Sequence, residues 1–211
     1  PERFKPQRRI NESELPSPAE KLEILHHTIN KLTDAGYVFI GMDHFALPED
    51  ELAVAQRQGT LYRNFQGYST HADCDMISMG VTSIGYLGGA FSQNEKEEEP
   101  YYQRIDAGEI PIIKGYELNA DDHLRRAVIV QLICHFGLDI AAIESAFGID
   151  FKQYFADAYP RLEQMAEDGL IELDDQGIRI QPVGRLLVRQ VCMAFDAYLQ
   201  ANAKTKFSRA I

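Results

Sequence analysis

The segment LIELDDQGIRIQP, residues 170–182, sets the tightest constraint on how this chain folds. Two short runs of alternating apolar and polar residues flank Asp174-Asp175-Gln176-Gly177, a turn rich in residues that tolerate positive φ. The segment therefore reads as two antiparallel strands. Helical signals surround it. Asn119-Ala120-Asp121-Asp122 opens a helix that runs to about Phe136, with Leu124, Val128, Leu132 and Ile133 along one face. Ile140 to Phe147 gives a second helix ended by Gly148, and Phe151 to Asp168 a third. Val183 to Leu199 closes the chain as an amphipathic helix. Three helices, a hairpin and a final helix predict a winged-helix-like domain over residues 115–211.

The first part follows a different grammar. Ser17 caps a helix whose first position is Pro18, and Glu20 completes the capping box. Leu22, Leu25, Ile29 and Leu32 recur at helical spacing up to Gly36, and Tyr37 to Ile40 follows as a short apolar strand closed by Gly41. Helix, glycine and buried strand predict an α/β unit packed on a parallel sheet. A second helix is expected over Glu49 to Arg57, with a break at Gly59 and a polar loop over Tyr62 to Gly67. An apolar strand is then expected over Met76 to Val81, running into Thr82, Ser83, Ile84 and Gly85. Asn94 to Glu99 is a solvated charge block. Tyr101 to Gly108 reads as a short helix, and Gly115 marks the boundary of a first domain, 1–114.

Bulk properties narrow the function. At 211 residues and 45% hydrophobic the chain can bury a real core. The formal charge of −11 is shared by both parts, with 11 basic against 18 acidic residues in 1–114 and 10 against 14 in 115–211. Neither suits nucleic acid or an anionic membrane, because neutralising phosphates requires clustered Lys and Arg. No apolar run is long enough to span a bilayer, and the first thirty residues lack a secretory apolar region, so a cytoplasmic location is expected. Cys74, Cys134 and Cys192 offer neither a disulfide framework nor a paired metal motif. His71-x-x-Cys74 has local ligand spacing, yet no second pair follows, so no metal site is expected within the chain. The chain begins PERFKPQRRI, without a methionine, and is expected to start in the middle of a longer protein.

Several motifs occur in an order that resembles the oxygen-independent coproporphyrinogen III oxidase family of radical S-adenosylmethionine (SAM) enzymes. They are LPSPAEKL, GYVFIGMDHFALPEDELAVAQRQG, RNFQGYSTHAD, MGVTSI, DGLIELDDQGI and GRLLVRQVCMAFDAYL ending in FSRAI. GMDHFA and NFQGY are the specific ones; the hairpin alone is generic. The resemblance implies that residues 1–114 are the carboxy-terminal part of a radical SAM (β/α) barrel. The implied partner is an amino-terminal half holding a [4Fe–4S] cluster on a CxxxCxxC loop, since no such cysteines exist here. The implied reaction converts two propionates of coproporphyrinogen III to vinyl groups, giving protoporphyrinogen IX for heme. The chain alone is expected to be inactive.

By the same resemblance Ile84 lines a SAM adenine pocket, while Phe65 and Gln66 correspond to a pair at a second SAM or the reaction chamber. A tetra-anionic substrate requires cations, and arginine forks fit carboxylates. Arg57 and Arg63 flank the Phe65-Gln66 loop, Arg8 and Arg9 lie near the start, and Arg209 lies in the terminal tail. No general acid or base is assigned. His44 in MDHFA reads as a hydrogen-bonded structural histidine. Two other functions compete: a heme-chaperone-like radical SAM paralogue, and a winged-helix nucleic-acid-binding module. The latter's recognition helix would be Phe151 to Asp168, where Lys152 and Arg161 face Asp157, Glu163, Glu167 and Asp168, an unfavourable balance for a phosphate-lined groove.

Overall fold

A computed structural model describes residues 5–72 and 74–201. After two 3-10 turns (Lys5–Arg9 and Glu12–Glu14) come α1 (Pro18–Asp34), β1 (Val38–Gly41), β2 (His44–Ala46), α2 (Glu51–Gln58), β3 (Tyr62–Asn64) and β4 (Gly67–Ser69). They are followed by β5 (Ile84–Leu87), β6 (Ala90–Asn94), α3 (Glu98–Asp106) and β7 (Ile112–Glu117). The remainder comprises α4 (Ala120–His135), β8 (Gly137–Asp139), α5 (Ile140–Phe147), α6 (Phe151–Tyr154) and α7 (Tyr159–Glu167). β9 (Ile171–Leu173), β10 (Gly177–Ile180), α8 (Pro182–Arg185), α9 (Val188–Cys192), a 3-10 turn (Met193–Phe195) and α10 (Ala197–Ala201) complete the order.

Helix entries behave as local chemistry dictates. Ser17 accepts from the Glu20 N–H and Glu20 reaches back to the Ser17 N–H, closing the capping box of α1. Asn119 and Asp122 do the same for α4. Pairing departs from the expected parallel sheet: every strand pair among the described residues is antiparallel, and β1 pairs its neighbour β2. Gly41, at φ 147°, lets the chain turn back at once, and a two-residue return cannot hold the crossover helix that a parallel pair requires. No closed barrel occurs among the described residues.

Residues 76–83 form no strand beyond a single bridge from Met76 to Tyr86. Gly80 (φ 99°) and Thr82 (φ 62°) make a turn, and buried Asn94 holds it by donating Nδ2 to the carbonyls of Ser78 (3.2 Å) and Gly80 (3.0 Å). Ile77 and Met79 are left in solvent. Ile84 therefore begins a strand rather than ending one, in the antiparallel sheet β5-β6-β7. β7 was not legible because all six of its residues are exposed, so it shows no alternation, and it runs through the 114/115 division placed at Gly115.

The second part has the expected winged-helix order, with a short strand that the sequence did not announce. β8 lies beside β10, giving the sheet β8-β10-β9, and α4, α5 and α7 pack around it. The wing turn uses no positive φ. Asp174 closes it instead, accepting from the N–H groups of Gln176 (2.8 Å) and Gly177 (2.9 Å). The expected single helix over Phe151–Asp168 is two, because Pro160 has no N–H to bond the carbonyl four residues back and can sit only in the first turn of a helix, where it opens α7. That removes the continuous recognition helix. Val183–Leu199 likewise breaks into α8, α9, the 3-10 turn and the start of α10.

The core centres on α4 and α9, with Leu124, Val128, Leu132, Leu162, Val191 and the Phe151-Phe155-Phe195 cluster. Gln56 ties the first part to it, donating Nε2 to the carbonyls of Ile40 (2.7 Å) and Cys134 (3.0 Å). Burial pushes the Cys134 and Cys192 thiols up to about 12, whereas Cys74 is exposed. Both buried thiols therefore stay protonated and unreactive at pH 8. Native alkylation at that pH is expected to add one label, at Cys74, by intact mass and peptide mapping. Fast native labelling of Cys134 or Cys192 would contradict the burial.

Candidate functional site

A cleft of about 280 Å³ opens between the β3–β4 hairpin, residues His71, Cys74 and Met76, β5–β6 and one face of α4. Its lining is mostly aromatic and aliphatic, with Tyr62, Phe65, Met76, Tyr86, Phe91, Ile129, Val130 and Ile133, and includes Asn64, His71 and Cys74. Two guanidinium groups, Arg63 and Arg126, join them, and no described carboxylate lines the space. In a chain with 32 acidic residues that local absence is a chemical statement. The cleft suits a flat apolar body carrying negative charge.

α4 makes this possible because it is apolar on two sides. Leu124, Val128 and Leu132 face the core, while Ile129, Val130 and Ile133 follow Arg126 at helical spacing along the cleft. Ile133, expected on the same face as Leu124, Val128 and Leu132, lines the cleft instead, and a helix apolar on two sides must serve two surfaces; that second apolar side is the signal for Arg126, Ile129 and Val130. The guanidinium carbon of Arg126 stands 4.3 Å from the Tyr86 ring centre, 5.4 Å from Phe91 and 5.6 Å from Tyr62. It also donates to the Tyr62 hydroxyl. Ring faces attract a cation electrostatically, so three rings hold this one in place.

Of the residues expected at a site, Phe65 and Arg63 line the cleft. Phe65 sits at the β3–β4 turn, 60% exposed, edge-on to Phe91 at 5.2 Å. Arg63 lies over Tyr68 at 5.5 Å, and its Nε is buried with no hydrogen-bond partner. Gln66 occupies the same turn with its side chain exposed, outside the cleft lining. Ile84, half-buried at the start of β5, also lies outside it, and its carbonyl accepts from Ser78 Oγ at 2.5 Å. Arg57 is exposed in the last turn of α2. Arg209 lies outside the described residues. The structure thus gathers Phe65 and Arg63 with Arg126, and does not gather Gln66, Ile84 or Arg57 with them.

The two specific motifs meet each other. His44 of GMDHFA stands edge-on to Tyr68 of NFQGY at 5.1 Å, and Gly41 leaves room for the Tyr68 hydroxyl, which a Cβ would approach to 2.3 Å. Tyr68 donates to the Ile133 carbonyl (3.1 Å), and burial raises its pKa, so it remains a neutral donor beneath the cleft. His71 and Cys74 gain no third ligand: no group of three His, Cys, Asp or Glu residues able to hold a metal occurs among the described residues. Cys134 and Cys192 are buried, away from exposed Cys74. These residues do not fit an iron–sulfur cluster.

A family model described as the HemN C-terminal domain matches residues 118–187. The chain is 56% identical over its whole length to an oxygen-independent coproporphyrinogen III oxidase of Pseudomonas aeruginosa, of which it covers 46%. It is 50% identical to the protein of the same name from Escherichia coli, with 99% of this chain and 46% of the relative aligned. A solved structure described as "Coproporphyrinogen III oxidase (HemN) from Escherichia coli is a Radical SAM enzyme" superposes with a TM-score of 0.88 at 50% identity, over 93% of this chain and 45% of that one. The chain spans about half the length of these relatives. Sequence, domain model and fold agree: along its whole length the chain is similar to the carboxy-terminal part of oxygen-independent coproporphyrinogen III oxidases, and residues 118–187 match the HemN C-terminal domain.

Proposed function

We propose that this chain serves as the carboxy-terminal portion of an oxygen-independent coproporphyrinogen III oxidase, and that its cleft holds part of the tetrapyrrole. The reading rests on one observation above the others: an aromatic-walled cleft containing two arginines and no described carboxylate, in a strongly acidic chain. Residues 1–114 act as the end of the barrel wall and 115–211 as a cover, the latter containing the matched 118–187 segment. In each half-reaction a propionate loses CO₂, one hydrogen atom and one electron, leaving a vinyl group. SAM and a [4Fe–4S] cluster ligated outside this chain supply the hydrogen-abstracting chemistry.

The chain's own residues bind, orient and exclude. Phe91, Tyr86 and Ile129 offer apolar faces to the pyrrole rings and keep water from the reacting side chain. Arg63 and Arg126 pair with propionates in the ground state and are released when CO₂ departs. The Phe65-Gln66 turn and Ile84 at the head of β5 face SAM in this reading. The location is cytoplasmic, and the acidic wing and divided third helix leave duplex DNA unbound. No helix among the described residues is long and apolar enough to cross a membrane.

The complete polypeptide, assayed without oxygen, is expected to convert coproporphyrinogen III to protoporphyrinogen IX with release of CO₂. The 211-residue chain reconstituted with iron and sulfide is expected to show no thiolate-to-iron absorption and no SAM cleavage. Absence of turnover in the complete, cluster-loaded polypeptide would sink the substrate reading. A stable cluster on this chain would sink the division of labour.

A further inference from the structure

Arg125 and Arg126 are adjacent on α4 and have opposite fates. Arg125 donates Nε to both oxygens of Asp121 at 2.8 Å and Nη1 to the Phe195 carbonyl at 3.0 Å, so its charge is paired with a carboxylate within the fold. Arg126 has no carboxylate within ion-pair distance among the described residues. Its one hydrogen bond there goes to the Tyr62 hydroxyl. Ring faces stabilise a cation but accept none of the in-plane N–H bonds, and a guanidinium cannot shed its charge. Most of its donors are thus unspent, at the wall of an apolar cleft, on a side chain held rigid by Tyr62, Tyr86 and Phe91. Arg63, on the same cleft, adds a buried Nε without a partner.

We propose that Arg126, preset by its aromatic cage, is the principal carboxylate anchor of this cleft, with Arg63 as the secondary one, and that the ligand is a flat apolar acid. The inference deepens the proposed function, since a propionate of the tetrapyrrole is the carboxylate it would hold. A rigid planar fork loses little conformational freedom on binding, and a partly desolvated site strengthens each charge-assisted bond. A guanidinium acting only as a structural clamp would have no reason to distinguish an acid from its ester.

That distinction supplies the test. The 211-residue chain is titrated by fluorescence with coproporphyrin III, with its tetramethyl ester, and with 1-pyrenebutyrate, a flat acid that is not a tetrapyrrole. Wild type is expected to bind both acids, less tightly as salt is raised, and to bind the ester at least tenfold more weakly, about the value of one charge-assisted bond. Arg126→Gln is expected to weaken both acids about tenfold to hundredfold and leave the ester unchanged. Arg126→Lys, which keeps charge but not the fork, is expected to fall between, and Arg63→Gln to cost less than Arg126→Gln. Circular dichroism and the unfolding midpoint verify that each variant is folded. Should Arg126→Gln unfold, the acid-against-ester comparison on wild type and on Arg126→Lys decides. Equal binding of acid and ester, no acid binding by wild type, or unchanged acid affinity in folded Arg126→Gln each overturns the proposal. Arg126-dependent binding of pyrenebutyrate without binding of coproporphyrin III leaves the anchor standing and removes the tetrapyrrole as its ligand.

Discussion

Gly184→Ala is expected to destabilise the carboxy-terminal module by about 3 kcal/mol or more, a collision of backbone with side chain rather than a change of propensity. A Cβ at Gly184 would lie 2.0 Å from the Leu170 carbonyl oxygen and 2.9 Å from its carbon. That oxygen cannot retreat, because it accepts the Gln181 N–H at 2.9 Å and closes the β9–β10 ladder onto α8. Gly177→Ala is expected to behave alike, its Cβ meeting the Leu138 carbonyl at 2.1 Å where β10 pairs β8. Gly148→Ala provides the control. Its φ is 66° and its surroundings are open, so only left-handed strain of roughly 1–2 kcal/mol applies. For a chain of this size the first two variants should melt lower by roughly 6–12 °C. Midpoints for Gly184→Ala and Gly177→Ala no lower than for Gly148→Ala would refute the close approach.

Phe195→Ala is expected to cost about 3–5 kcal/mol, through lost apolar burial and the cavity left behind. Phe195 is fully buried, edge-on to Phe155 at 5.1 Å and tilted against Phe151 at 6.1 Å. Its carbonyl accepts from Arg125, so the same residue fastens the segment after α9 to the start of α4. The contrast is Phe65→Ala: at 60% exposure, Phe65 is expected to change stability by less than about 0.5 kcal/mol. A chemical denaturation series on both variants separates core from cleft. Comparable losses at the two positions would mean that Phe65 is part of the fold, and that the β3–β4 turn is not free to meet a ligand.

The cleft was only partly legible beforehand. Phe65 and Arg63 stand close together in the chain, on one hairpin, so a local reading could find both. Tyr62, Tyr86, Phe91 and Arg126 come from β3, β5, β6 and α4, and no local pattern links an arginine at 126 to rings at 62, 86 and 91. The strand expected over Met76–Val81 failed for a related reason. Its apolar residues fit a strand locally, but Asn94, far along the chain, pins the same backbone into a turn.

What the order of residues settles is what neighbours in the chain can settle: the capping boxes, the helix stops at glycine, the hairpin around Asp174–Gly177, and the winged-helix sequence of elements. These depend on hydrogen bonds and steric limits within a few residues. Strand partners, the split of the last helices, the second apolar face of α4 and the caged state of Arg126 were decided by packing between distant segments. Burial energy depends on which surfaces meet, and the same apolar or charged side chain serves core, cleft or solvent according to its tertiary neighbours.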